Sequence, residues 1–479
     1  MRRRQFLSLA AAPLAAQAPR RPNFIVIFAD DLGYGDLSCY GAEGYTTPNL
    51  DRMAAEGIRL TDFYVPLPFC APSRSSLLTG RYPFRTGITR NPTPDAGIND
   101  YGLPADEITI AELLRPFGYR SCCIGKWHLG HIPKYLPRTQ GFDEYFGIPY
   151  SNDMRPVQLV HNESVVQYPV PQVNLTRDYT RRAIDFIGAN KSRPFFLYLP
   201  HTMPHKPLAA SEDFYKPGGT SKDLYASVVR ELDHHAGELL GAVKANGLDD
   251  NTFVFFTSDN GPWFGGSTAG LRGMKGSSFE GGIRVPGIAR WPGRIPAGQS
   301  SSAIAGVIDL LPTIAAAAGA RLPDRTIDGK NLLPLLTGKT KESPHEALFA
   351  MNNDALVSVR SGKWKLYVRQ PVPGMLMNAA ASEWVDPRAP DGVTILAPNE
   401  QARPDLFPGV KTGAAPKPMM LFDLENDRSE QNDVAARNPE IVERLKALYD
   451  KMNVEVRPIQ QPVANPLRRV KGGELRYDR

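Results

Sequence analysis

The sequence predicts an α/β protein: a large mixed, mostly parallel sheet covered by helices on both faces, followed by a smaller C-terminal antiparallel sheet with a helix. Three observations predict it. Four apolar runs each lead directly into polar residues, helical patterns lie between them, and beyond residue 345 short strands gather around a tight turn. Continuous apolar runs mark strands buried on both faces, as in a parallel sheet sandwiched by helices. Strands alternating with helices make an open α/β sheet, and such sheets bind ligands beyond the carboxyl ends of their strands.

The first run, Asn23 to Ala29, ends in Asp30-Asp31. Tyr119 to Ile124 leads to Gly125-Lys126-Trp127-His128, and Pro194 to Leu199 to Pro200-His201-Thr202-Met203-Pro204-His205. Thr252 to Thr257 leads to Ser258-Asp259-Asn260-Gly261. Helical patterns cover Asn49 to Gly57, Thr109 to Gly118, Asp178 to Ala189 and Leu224 to Asn246. Near the C-terminus, Ala355 to Arg360 and Lys363 to Val368 read as a hairpin turning on Ser361-Gly362. Met419 to Leu424 is a further strand. A helix from Pro439 to Met452 has Asn438 as its cap and Ile441, Leu445, Leu448 and Met452 on one face.

At 479 residues the chain exceeds the size at which one core stops growing. The expected division is a catalytic part over 20–345 and a C-terminal α+β part over 346–479. Residues 370–418, rich in Pro, Gly and Ala, form an irregular insertion that either walls the cleft or is a plain surface loop. Hydrophobic content of 42% and charged content of 22% exclude disordered and collagen-like classes.

Residues 1–18 read as an export signal of the twin-arginine type. Arg2-Arg3-Arg4 precedes an apolar run from Phe6 to Ala16, and Ala16-Gln17-Ala18 is a small-x-small cleavage pattern. The run is too short to span a bilayer, and no later segment reads as transmembrane. The expected location is therefore a bacterial periplasm or the exterior. Losing residues 1–18 removes three arginines and lowers the net charge from +6 to +3. That charge suits an anionic substrate, and with no basic stripe interleaved with aromatics a nucleic-acid partner is not expected.

The four cysteines, Cys39, Cys70, Cys122 and Cys123, are too few for a disulfide scaffold. Cys122 and Cys123 lie in an apolar strand, and Cys39 is expected to pack. Cys70 differs, because Ala71-Pro72-Ser73-Arg74 follows it and Pro72 suits the first turn of a helix whose amides favour an anion. No cysteine-protease signature surrounds it.

Asp30, Asp31, Asp259 and Asn260 offer hard oxygen ligands, a set that favours Ca²⁺ or Mg²⁺ over zinc. Several carboxylates around one ion favour Ca²⁺. Three carboxylates overcompensate a divalent ion, so cations are expected beside them, with Arg74, Lys126 and Lys275 as candidates. His201 is expected to pack at its strand end, His234-His235 to be exposed, and Trp127 to pack beneath its loop.

The run Cys70-Ala71-Pro72-Ser73-Arg74-Ser75-Ser76-Leu77-Leu78-Thr79-Gly80-Arg81 resembles the signature of the type I sulfatases, C-x-P-S-R-x-x-x-L-T-G-R. Other motifs match in order: Ala29 to Asp36, Gly125 to Gly130, Ser258 to Gly261, Gly273 to Gly276 and Phe279 to Pro286. The resemblance is nearest to the arylsulfatase A and N-acetylgalactosamine-6-sulfatase type, Gly147-Ile148-Pro149-Tyr150-Ser151 included.

It implies an alkaline-phosphatase-like fold and hydrolysis of a sulfate ester through a covalent sulfo-formylglycine intermediate. Position 70 is then oxidised by a formylglycine-generating enzyme, and Cys70, Asp30, Asp31, Asp259 and Asn260 surround one Ca²⁺. Arg74 and Lys126 are implied to stabilise the nucleophile, and His128 to take the proton that releases sulfate. His205 and Lys275 hold the sulfate, and one of them protonates the leaving oxygen. Ser151 matches a position on the substrate side. The implied substrate is a sulfated small molecule or saccharide, with activity on aryl sulfates expected.

Two alternatives stay open. A phosphonate or phosphate ester hydrolase of the same superfamily shares C-x-P-S-R but typically places His where Asn260 stands. A non-catalytic binder of sulfated glycans results if Cys70 is never oxidised. One departure from the family is Ala350-Met351-Asn352-Asn353-Asp354, where a more aromatic or arginine-bearing stretch is usual.

Overall fold

The computed structural model describes residues 20–459 except 95, 96, 99, 155, 156, 216–220, 264, 373–382, 386–393 and 397–412. The expected export signal and most of the 370–418 insertion lie outside the described residues.

Strand β1 (Asn23–Ala29) is buried throughout. The same sheet contains β2 (Ile58–Tyr64), β3 (Arg120–Ile124), β4 (Glu144–Gly147), β5 (Leu159–His161) and β6 (Ser164–Gln167). β7 (Phe195–Pro200), β8 (Thr252–Ser258), β9 (Arg284–Arg290), β10 (Gln299–Ser301) and β11 (Ala305–Gly306) complete it. Their order is β10-β2-β9-β8-β1-β7-β3-β4-β5-β6, with β11 also on β2. The neighbours β8, β1, β7 and β3 all run parallel and are the four apolar runs predicted from sequence. β9 and the β5–β6 pair are antiparallel, so the sheet is mixed.

Alternation along β1 sends Phe24, Val26 and Phe28 into one apolar cluster and Ile25, Ile27 and Ala29 into another. The first cluster packs the helices Cys70–Thr79 and Leu310–Ala318; the second packs Pro48–Ala55, Leu175–Asn190 and Ser221–Ala245. Helices thus cover both faces, as the fold class requires.

A second sheet has the order β12-β13-β14-β17, from β12 (Leu348–Asn352), β13 (Ala355–Ser361), β14 (Trp364–Tyr367) and β17 (Met420–Asp423), all antiparallel. β15 (Glu383–Val385) and β16 (Thr394–Leu396) form a separate pair. The helix Pro439–Asn453 packs Leu445 and Tyr449 against the second sheet, and the Tyr449 hydroxyl donates to Leu356 O at 2.8 Å. No described helix is long and apolar enough to cross a membrane.

Three local expectations change. The hairpin turns on Gly362-Lys363, because Ser361 pairs with Trp364 and Gly362 takes the left-handed conformation. The Thr109–Gly118 pattern is an α-helix only over Ile110–Leu114; Pro116 interrupts the ladder and Arg115–Phe117 tightens to a 3-10 turn. Thr109 caps it with a reciprocal Glu112 pair. Asn438 makes no side-chain cap and donates to Val434 O instead.

Gly125 joins β3 to the site. Its φ of +131° lies in the region that only glycine adopts freely, and a Cβ there would stand 1.9 Å from Pro200 O. Gly125→Ala is therefore expected to destabilise the fold by about 4 kcal/mol or more, read as a lowered denaturation midpoint.

Candidate active site at the carboxyl ends of the parallel strands

The four parallel strands end level with one another, and backbone hydrogen bonds hold the loops beyond them. Asp259 N donates to Ala29 O, His201 N to Phe28 O, Lys126 N to Pro200 O and Asp30 N to Met203 O. Trp127 N and His128 N donate to Ile148 O and Pro149 O, which ties the Lys126 loop to the segment leading to Ser151. Trp127 is buried beneath that loop, with its indole N–H donating to Tyr135 O. Asp31 and His128 have φ of +62° and +58°. Such backbone strain in non-glycine residues collects at functional sites.

Cys70 opens the helix Cys70–Thr79 and is fully buried. Its Sγ lies 3.5 Å from Asp30 Oδ1 and 3.5 Å from Lys275 Nζ. Burial pushes its thiol far above the ordinary range despite Lys126 and Lys275 nearby.

Three carboxylates and three cations interlock around it. Arg74 Nη2 reaches Asp259 Oδ2 at 2.8 Å and Asp30 Oδ2 at 3.3 Å, while Nη1 donates to Lys126 O at 2.8 Å. Lys126 Nζ lies 2.5 Å from Asp30 Oδ2 and 3.1 Å from Ser151 Oγ. Lys275 Nζ lies 2.7 Å from Asp31 Oδ1. Burial, reinforced by Asp259, raises the Asp30 carboxyl to about 7 against the pull of Lys126 and Arg74. Burial also raises Asp31, whereas Arg74 leads the cations that hold Asp259 low against it.

Asp30, Asp31, Cys70 and His205 each place a ligand atom within 4.8 Å of the others. Asp259 Oδ1 accepts from Asp31 N, and Asn260 Nδ2 donates to Asp31 Oδ1 at 2.7 Å. Asn260 Oδ1 is buried with no hydrogen-bond partner. A hard oxygen left unpaired among buried carboxylates fits a hard divalent cation. The three ammonium and guanidinium groups balance the three carboxylates, so such an ion leaves a net positive centre for an anion.

His205 and His128 face the same cavity, which encloses ≈ 150 Å³ between Asp31, Phe69, His128, Ser151, His205 and Lys275. Asn91, Asp153, Met154, Lys206 and Trp263 complete its lining and were not anticipated from sequence. His128 Nε2 lies 3.3 Å from Pro92 O, and Nδ1 has no partner. Burial, then Lys126 and Arg74, hold His128 well below the ordinary imidazole range. His205 is lowered in the same way by burial and Lys275.

Asn152 is a further residue the sequence did not single out. Its amide N–H groups face Gln172 Oε1, His205 O and Pro207 O, so its oxygen is the atom turned to His205 Nδ1 at 3.0 Å. Lys206 O faces the same nitrogen at 2.6 Å. Two acceptors assign the proton to Nδ1, and Nε2 is left facing Asp31 Oδ2 at 3.7 Å. The clue in sequence was position alone: Asn152 follows Ser151.

His201 stays off the site, buried against Tyr179. His234 is half exposed as expected, but His235 is buried. Adjacent helical residues point about 100° apart, so His235 falls on the face packed by Leu232 and Leu239.

A sulfatase family profile matches residues 22–320. The chain belongs to the sulfatase family. It is 41% identical over 398 residues to N-acetylgalactosamine-6-sulfatase of Canis lupus familiaris, covering 76% of this chain and 75% of that one. It is 38% identical over 486 residues to human arylsulfatase A, covering 93% and 90% respectively. Among solved structures it resembles Ps i-CgsB in complex with k-i-k-neocarrahexaose, with a TM-score of 0.74, 31% identity, and coverage of 91% and 94%. This sulfatase is accordingly a sulfuric ester hydrolase.

Proposed function

We propose that this sulfatase is an exported enzyme that hydrolyses a sulfate ester on a saccharide through a covalent sulfo-formylglycine intermediate at position 70, and that it also turns over aryl sulfates. Residues 20–345 form its catalytic part and 346–479 its C-terminal part. The observation that carries the reading is the setting of Cys70: a fully buried side chain in the first turn of its helix, 3.5 Å from both Asp30 Oδ1 and Lys275 Nζ.

Asp30, Asp31, Asp259 and Asn260 would hold Ca²⁺, which supplies Lewis-acid polarisation of a sulfate oxygen and favours an ionised nucleophile. Every other task falls to the chain's own groups. Oxidised by a formylglycine-generating enzyme and hydrated, position 70 presents two hydroxyls. One of them, ionised by loss of its proton to solvent and stabilised by Lys126 and Arg74, attacks sulfur; the new O–S bond forms as the S–O bond to the leaving alcohol oxygen breaks. His205 and Lys275 hold the sulfate, with Ser151 on the substrate side.

The leaving oxygen takes its proton from one of His205 and Lys275, both of which face the cavity. Neutral His128 then removes the proton of the second hydroxyl; the C–O bond to the sulfate breaks, sulfate departs and the aldehyde returns. Asn260, standing where phosphonate hydrolases place His, supports sulfate and Ca²⁺ over phosphorus esters and a transition metal.

The test compares turnover of nitrophenyl sulfate with that of nitrophenyl phosphate and phosphonate esters in Ca²⁺. The sulfate ester should be the faster substrate. A larger rate on either phosphorus ester overturns the reading. Screening a panel of defined sulfated saccharides then identifies which ring and position it serves.

A further inference from the structure

On the helix Ser221–Ala245, away from the strand ends, a second group of metal-binding side chains gathers. His234, His235 and Glu238 each place a ligand atom within 4.8 Å of the others. His234 Nε2 lies 3.5 Å from Glu238 Oε1, and His235 Nδ1 lies 2.6 Å from Glu238 Oε2. The pattern comes from helix geometry, since residues three and four apart share a face.

Glu231, one turn before His235, supplies the second observation. It is 1% exposed, and Oε2 accepts from Ser211 N at 2.9 Å. Oε1 is buried without a hydrogen bond, aimed at His235 Nε2 across 3.8 Å. A carboxylate facing the outer nitrogen of an imidazole whose inner nitrogen faces other ligands is the usual support of a metal-bound histidine. Phe214 lies against both rings, at 5.3 Å from His234 and 6.3 Å from His235, and limits their rotation. His234 and Glu238 are half exposed, which leaves an entry path.

The geometry points to a second metal site on this helix, for a borderline divalent ion of the zinc class, ligated by His234 Nε2, His235 Nδ1 and Glu238, with Glu231 orienting His235. Two imidazoles and one carboxylate are a zinc-type donor set, unlike the all-oxygen set beside Cys70. Ligands about 2.0–2.1 Å from a tetrahedral ion lie about 3.3–3.4 Å apart. Each imidazole nitrogen already faces one oxygen of the Glu238 carboxylate, at 3.5 Å and 2.6 Å, and a small turn of that carboxylate with opening of the shorter contact admits the ion. The fourth position is left to water. Without metal the same groups are an imidazole held between two carboxylates, which is the arrangement the test must exclude as the whole account.

The full chain is dialysed against Zn²⁺ with Ca²⁺ in excess, beside His234→Ala, Glu238→Gln and the double variant. Both substituted residues are half exposed and lie outside the catalytic machinery, so folding and sulfate-ester turnover should be unchanged. The wild-type chain should take up Zn²⁺ saturably at one equivalent that each single variant binds tenfold or more weakly. Co²⁺ in place of Zn²⁺ should give visible d–d absorption of a low-coordinate site in the wild type and lose it in the double variant. Equal Zn²⁺ affinity in wild type and double variant would place any zinc elsewhere and overturn the proposal. So would no saturable uptake by the wild type, leaving the cluster as ion pairs only.

Discussion

Cys70→Ser is expected to lower multiple turnover of a sulfate ester by on the order of 10³ or more, while the first displacement still occurs. A serine has one hydroxyl. It can attack sulfur and displace the alcohol, but no second hydroxyl on the same carbon remains for His128 to deprotonate. The sulfate therefore stays bound to the side chain, and mass spectrometry should find a chain about 80 Da heavier after exposure to substrate. Cys70→Ala should be equally inactive and show no added mass. Both changes are small at a fully buried position whose neighbours are polar, so the fold should hold. A serine variant that turns over near the wild-type rate would mean that the second hydroxyl is not needed.

Arg74→Met is expected to have the second largest effect, on stability as well as rate. Arg74 is completely buried, bridges Asp259 and Asp30, and ties both to the Lys126 backbone. Removing it leaves two desolvated carboxylates short of a cation, which costs about 3–5 kcal/mol when one partner of a buried pair is lost. Denaturant unfolding should show this as a lower midpoint. Turnover should fall by on the order of 10²–10³ in the fraction that stays folded, from the loss of charge beside the nucleophile. Arg74→Lys keeps the charge but cannot reach Asp259 Oδ2 and Lys126 O together, so it should recover only part of either loss.

The sequence carried most of the fold because the strands that matter are buried on both faces. β1, β3, β7 and β8 read as uninterrupted apolar runs, and each run stops where a site residue begins. What periodicity cannot carry is order across the sheet. β8 lies beside β1 although more than two hundred residues separate them, and only the pairing of Asn23 with Thr252 onward reveals it. Local rules failed where one residue overrode a pattern, as Pro116 did in the Thr109–Gly118 pattern and Gly362 in the hairpin.

The site was legible where a motif named its residues. Arg74, Lys126 and Lys275, expected both from charge balance and from the resemblance, do surround the three carboxylates. Asn152 was invisible because its part depends on three backbone and side-chain acceptors drawn from distant segments. His235 departs from the expected exposure because a helix turns the two members of a His-His pair to different faces.

Position 70 is expected to work as formylglycine and not as cysteine. Peptide mass spectrometry across residues 70–74 of the active enzyme tests it directly. The active enzyme should yield a peptide about 18 Da lighter than the cysteine form in its free-aldehyde state, in proportion to specific activity across preparations. A fully active preparation in which Cys70 is unmodified would contradict it.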